Sequence, residues 1–203
     1  MQDRLAACRQ FYAKMVAAGG GQLREDLERA FEIVPREYFL GPGPWLAVSS
    51  LSGMFVATPT DDPIHVYQNV LFALDRKKQI NNGEPFLHGQ LLGALAPARG
   101  NVALHIGCGT GYYTAILAHL VGPSGKVIAY EIEPELARAG FCQRRIIGAG
   151  RTRLRASGFP DAVAGPARHE IIHEAVRRTE HARCLPGATS HITSIGRKTG
   201  AIN

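Results

Sequence analysis

The chain has 203 residues, 45% of them hydrophobic, which suits one domain with a real core and is too short for two large ones. Its formal net charge of +6 hints at a polyanionic partner, but residues 1–140 carry 12 basic against 13 acidic side chains and residues 141–203 carry 11 against 4, so the whole excess lies in the tail. No apolar run approaches the roughly 18 residues of a membrane span, the start "MQDRLAACRQ" has no apolar leader, and Cys8, Cys108, Cys142 and Cys184 form no C-x-x-C pair, so a cytoplasmic protein with free thiols is expected.

In chain order, Leu5, Cys8, Tyr12, Met15 and Val16 recur at helical spacing until the glycines at 19–21, which predicts a helix over 3–18. In "QLREDLERAFEIVP", Leu23, Leu27, Ala30, Phe31 and Val34 make one apolar face opposite Arg24, Glu25, Glu28 and Glu32, and Pro35 ends the pattern. Both read as cap helices outside a sheet. From Gly41 to about Pro63 the chain is rich in Gly, Pro, Ser, Thr and Asp and reads as a long surface connection. Residues 64–75 suit a strand or a helix equally, "RKKQINNGEP" carries a turn signal, and "FLHGQLLGALAP" reads as a helix ended by Pro97.

From residue 101 the pattern sharpens into a strand "NVALHI", a helix "YYTAILAHLV", a turn "GPSG", a strand "KVIAYE" and the start of a helix "EPELARAG". That order is the βαβ unit of a doubly wound parallel sheet, giving an α/β, Rossmann-like fold. Gly107, Gly109 and Gly111 sit where the first strand hands over to its helix. Glycine there permits positive φ and lets a ligand touch the backbone beside the unpaired amides of a helix N-terminus. Glu131 closes the next strand, where a carboxylate can take both hydroxyls of a ribose or simply be solvated among Glu133 and Glu135. A dinucleotide turn of the form G-x-G-x-x-G needs glycine at 112, and the chain has Tyr112, which disfavours an NAD-dependent oxidoreductase.

The spacing G-x-G-x-G resembles motif I of the S-adenosylmethionine-dependent methyltransferases. Within that superfamily, "AFEIVPREYF" (30–39) and "IGCGTGYYTAILAHLVGPSGKVIAYEIEPELA" (106–137) resemble the protein-L-isoaspartate O-methyltransferase family over about residues 25–140. The resemblance implies a cytosolic, monomeric enzyme that methylates the α-carboxyl of isoaspartyl residues in damaged proteins. By position, His105, Gly107, Gly109 and Gly111 would line the methionine and adenosine side, Glu131 would hold the ribose, and Ile132 would pack near the adenine.

Three departures from the family pattern stand out. His105 replaces an acid before the first glycines, and serves either as a ligand contact or as a packed strand-end histidine. The family's Q-x-I-S-x-P segment aligns on Pro85, which puts Gly83, or with a gap Asn81 or Asn82, where its serine would stand near the methyl acceptor. Past Gly140 the third strand and the rest of the sheet are not recognisable, so a sheet incomplete at its C-terminal half is expected, together with a change of reading frame near residue 140. The expected organisation is then an N-terminal helical cap and acceptor-side loop region over 1–100, a cofactor-binding βαβ unit over 101–140, and an atypical basic tail over 141–203. A non-catalytic remnant of a methyltransferase is the principal alternative.

The tail prompts two further readings, both disfavoured. Arg144, Arg145, Arg151, Arg153, Arg155, Arg177 and Arg178 would neutralise phosphates, yet Phe141 and Phe159 are too few aromatics to stack bases. "HEIIH" (His169, Glu170, His173) fits the H-E-x-x-H zinc motif, but a five-residue match in an anomalous segment is weak. No metal is expected.

Overall fold

The computed structural model describes residues 4–19, 24–49, 52–142 and 151–156. Helix α1 (Arg4–Ala18) buries Tyr12, Ala13, Val16 and Ala17. Helix α2 (Glu25–Ile33) opens with Glu25, Asp26 and Glu28, charges that suit a helix N-terminus. It stops at Val34, which is extended because the following Pro35 excludes helical ψ. Leu27, Ala30 and Phe31 are fully buried, the face predicted from their spacing. A 3-10 turn (Arg36–Phe39) follows. Arg36 is wholly buried and, among the described residues, has no carboxylate partner. Its guanidinium donates instead to the carbonyls of Val66 (2.6 Å), Gln68 (2.7 Å) and Val70 (2.8 Å) and lies over the rings of Tyr12 and Phe72.

The segment 41–63 is not the plain surface connection expected. It forms a hairpin of β1 (Leu46–Val48) and β2 (Phe55–Ala57), closed at its base by Trp45 N–H to Thr58 Oγ1 (3.0 Å) and Thr58 N–H to Trp45 O (2.8 Å). With β3 (Leu71–Asp75) and β4 (Ile80–Asn81) it makes an antiparallel sheet of order β2-β1-β3-β4. The region 1–100 is therefore helices plus a small sheet, and residues 64–75 divide into a 3-10 turn (Pro63–Val66) and a strand. Helix α3 (Pro85–Leu95) starts with proline, whose missing N–H costs nothing at that position.

The βαβ unit is as read from the sequence: β5 (Val102–Ile106), α4 (Tyr112–Val121) and β6 (Lys126–Glu131), followed by α5 (Pro134–Cys142). Helix α4 is buried almost all round, with Ile116, Leu117 and Val121 at the centre of a core shared with α1 and α2. Burying each such side chain contributes about 1.5–3 kcal/mol. A third strand lies beyond residue 140. Strand β7 (Arg151–Ala156) pairs parallel with β6 from Lys126↔Arg151 to Glu131↔Ala156, giving the order β5-β6-β7. The α/β fold thus continues past the point where a change of frame was expected.

Candidate functional site

The glycine turn is built by backbone geometry. Gly107, Gly109 and Gly111 have φ of 70°, 54° and 95°, a region that L side chains enter at a cost of about 1–2 kcal/mol. The amides of Gly107 and Cys108 both donate to Tyr130 O, at 2.9 and 3.1 Å, which ties the turn to β6. Among the described residues, a Cβ placed on Gly107 would meet no atom within 4 Å, so open space lies over the bare backbone there. The turn is also anchored to the N-terminal region. Thr110 Oγ1 donates to Phe39 O at 2.5 Å, and the Phe39 ring packs against Tyr112.

Glu131 is buried at the end of β6. Its Oε2 accepts from Gly109 N–H at 2.6 Å and its Oε1 from Glu133 N–H at 2.9 Å, so the carboxylate clamps the glycine turn to the turn after β6. It is therefore not merely a solvated acid, and each oxygen keeps a lone pair for a further donor. Ile132 beside it is 76% exposed, an apolar rim to the crevice. The β3–β4 hairpin reaches the same crevice: Leu74 lies beside Gly109, and Lys78 pairs with Glu133.

His105 stands apart from this surface. It is 2% exposed, and its Nδ1 pairs with Thr114 Oγ1 at 2.8 Å. Burial, reinforced by the nearby His88, lowers its pKa to about 3, so it is a neutral, packed imidazole and supplies no charge. Thr114 also reaches the Cys108 thiol, which burial and then Glu131 push up to about 12. That cysteine is a protonated packing group.

The acceptor-side candidates form a tight loop. Asn81 Oδ1 accepts from Gly83 N–H (2.9 Å), and Asn82 exchanges bonds with Phe72, through its backbone N–H (3.0 Å) and its Oδ1 (2.7 Å). Asn82 Nδ2 is buried and has no hydrogen-bond partner among the described residues. Gly83 has φ of 78°, and a Cβ there would fall within 3.0 Å of His88 Cε1. Gly83 therefore has no room for a side chain beside His88 in this chain. The reasoning from sequence passed over His88 and Tyr113, which hold this loop to α4. Their rings stack at 3.5 Å with 5° between planes, and Tyr113 Oη donates to Gly83 O at 3.1 Å. The only signals were a histidine in the first turn after Pro85 and an aromatic just after the glycines.

Among the described residues no group of three or more His, Cys, Asp or Glu could hold a metal, and no helix is long and apolar enough to cross a membrane. The HEIIH segment and Arg144, Arg145, Arg177 and Arg178 lie outside the described residues.

A parallel β5-β6-β7 sheet with an open glycine turn and an acid-terminated β6 defines a doubly wound α/β unit of the methyltransferase fold. The profile of the family described as protein-L-isoaspartate(D-aspartate) O-methyltransferase (PCMT) matches residues 54–155, half of the chain, and the chain belongs to this family. The matched span ends within β7, well beyond residue 140. A protein-L-isoaspartate O-methyltransferase of Aeropyrum pernix is 43% identical over 67 residues, 31% of this chain and 26% of that protein. A protein-L-isoaspartate O-methyltransferase 2 of Anaeromyxobacter sp. is 31% identical over 147 residues, 72% of this chain and 51% of that protein. The chain thus spans about half or less of these relatives' length. A solved protein-L-isoaspartate O-methyltransferase superposes with a TM-score of 0.57 at 20% identity, over 73% of this chain and 42% of that one. A Plasmodium falciparum protein solved as a putative member in complex with S-adenosyl-L-homocysteine gives 0.53 at 14% identity, over 73% and 62%. At these identities the two structures speak to the fold.

Proposed function

We propose that this chain binds S-adenosylmethionine on the turn 107–111 and directs its methyl group to the α-carboxyl of isoaspartyl residues in proteins or peptides. The observation that carries the reading is the open backbone over Gly107 beside a buried Glu131 carboxylate that already grips Gly109. Family membership and the S-adenosyl-L-homocysteine complex of the Plasmodium relative support the choice of ligand.

S-adenosylmethionine, when bound, supplies a methyl activated by its sulfonium. The chain's own work is then to bind, align and exclude water. Gly107, Gly109 and Gly111 give the close backbone approach, Glu131 takes the ribose hydroxyls, and Ile132 covers a face of the adenine. His105, neutral and bonded to Thr114, shapes the strand end and leaves the attraction of the cofactor's ammonium to other groups. On the acceptor side, Asn81 and Asn82 rather than Gly83 are the residues with amides to offer a carboxylate. Tyr112 fills the place of a dinucleotide turn's last glycine and is buried against Phe39, which disfavours NAD. The reading takes the protein as a monomer working in the cytoplasm on isoaspartyl protein, and not on nucleic acid or membranes.

The test is transfer of labelled methyl from S-adenosylmethionine to a synthetic isoaspartyl peptide and to its aspartyl isomer. Base-labile label on the first peptide alone is expected. S-adenosylhomocysteine binding without label on either peptide contradicts methyl transfer and favours a non-catalytic cofactor-binding protein.

A further inference from the structure

The loop 81–84 and the glycine turn belong to different parts of the chain, yet a compact lock joins them. Tyr113, second residue of α4, lies two positions after Gly111, so its ring moves with the turn. Its hydroxyl donates to Gly83 O at 3.1 Å. Its face carries the His88 ring at 3.5 Å, nearly parallel. The edge of His88 in turn lies against Gly83, leaving no room for a Cβ. His88 Nδ1 lies 2.8 Å from Glu84 O, and since a carbonyl only accepts, Nδ1 carries the proton. Burial keeps the ring neutral, lowering its pKa to about 4. Two of the loop's backbone carbonyls, those of Gly83 and Glu84, are therefore held by one stacked pair rooted in α4 and α3, with the His88 backbone N–H adding a second bond to Glu84 O at 3.1 Å.

The geometry points to His88 and Tyr113 as positioning residues that couple cofactor binding at residues 107–111 to the order of the acceptor-side loop carrying Asn81 and Asn82. This inference rests on the proposed cofactor site. Neither side chain touches a reacting atom in this account. They fix Asn82, whose Nδ2 lacks a partner among the described residues, at a set distance from the turn. A ligand that stiffens the turn and the first residues of α4 then lowers the opening frequency of the loop. By reciprocity, an acceptor that orders the loop tightens the cofactor.

The experiment is hydrogen exchange of the full chain with and without S-adenosylhomocysteine, paired with calorimetric titration, for wild type, Tyr113→Phe and His88→Gln. In wild type, bound ligand is expected to slow exchange at the turn 107–111 and, about fivefold, at the amides of residues 82–84, the factor one hydrogen bond commands. Tyr113→Phe keeps the stack and loses the bond. It is expected to bind ligand within about twofold of wild type, since no ligand contact is removed, with the turn protected and residues 82–84 not. His88→Gln gives the same pattern from the other side of the stack and serves if the first variant does not fold. In turnover, the acceptor KM rises in both variants while the cofactor KM holds. Protection of the turn without protection of 82–84 in wild type, or protection of 82–84 undiminished in both variants, overturns the coupling and leaves the cofactor site standing. No heat and no protection at the turn overturns the cofactor site itself, and the coupling with it.

Discussion

Gly83→Ala separates a packing glycine from an acceptor-binding one. The backbone at φ 78° costs an alanine about 1–2 kcal/mol by itself. The new methyl also falls within 3.0 Å of His88 Cε1, and that ring is pinned by its stack on Tyr113 and its bond to Glu84. Overpacking of this kind costs about 1–3 kcal/mol. The total, about 2–5 kcal/mol, corresponds to a Tm loss of about 4–20 °C for a chain of this size. Gly107→Ala is the internal control, because its φ of 70° carries the same backbone cost and its Cβ meets nothing. It should lose only about 2–8 °C. Thermal melts by circular dichroism of both variants, of His88→Ala, and of Gly83→Ala in a His88→Ala background complete the cycle. In that background the penalty of Gly83→Ala should shrink to the backbone value. A Gly83→Ala no worse than Gly107→Ala, or one unaffected by removing His88, would refute the reasoning.

Stability should fall on acidification through the two buried histidines. Their folded pKa values, about 4 for His88 and about 3 for His105, lie below the unfolded 6.5, so between these limits the unfolded state binds more protons. Their contribution is complete above about pH 6.5 and drains as pH falls toward 4, by up to about 1.4 kcal/mol per pH unit for each. Urea midpoints for wild type should drop more steeply than for His88→Gln between about pH 7 and pH 5, and parallel profiles would contradict the assignment. Arg36→Lys should fail to fold or lose about 3–5 kcal/mol, because an ammonium cannot reach all three carbonyls that the guanidinium fork holds; near-wild-type melting would count against this. Cys108 should resist iodoacetamide in the native chain at mildly alkaline pH and react on unfolding, since burial holds its thiol protonated. Peptide mass mapping reads the difference, and rapid native labelling of Cys108 would show an open thiol.

The sequence was most legible where burial is two-sided. The run 101–131 announces β5, α4 and β6 because apolar stretches are cut by glycines whose positive φ the structure bears out at 107, 109 and 111. The α2 face was legible for a related reason, since Leu27, Ala30 and Phe31 alternate with charges at the helical period. Strands β1 and β2 were hidden because each is three residues long and flanked by glycine and proline, and β2 keeps Val56 58% exposed, so no apolar alternation marks it. Strand β7 was hidden by Arg151, Arg153 and Arg155, which read as a basic tail rather than as a strand partner of β6. At the site, the glycines and Glu131 were readable from spacing. What Glu131 grips, and that His105 turns to Thr114, depend on contacts across the chain that no local pattern encodes. The lock joins Tyr113 to His88 and Gly83, 25 and 30 positions away, and was invisible for the same reason.

The central claim is that the turn 107–111 and Glu131 form a working adenosine-type cofactor site. Calorimetric titration of the full chain with S-adenosylhomocysteine tests it most directly, beside Gly109→Val and Glu131→Ala. A β-branched residue at φ 54° with Leu74 already 3.4 Å from the Cβ position cannot keep the turn, and the alanine removes the carboxylate that holds the Gly109 and Glu133 amides. Micromolar binding by wild type, weakened about tenfold or more in both variants, is the predicted result. A folded wild-type chain that takes up no ligand, or variants that bind as tightly as wild type, would contradict it.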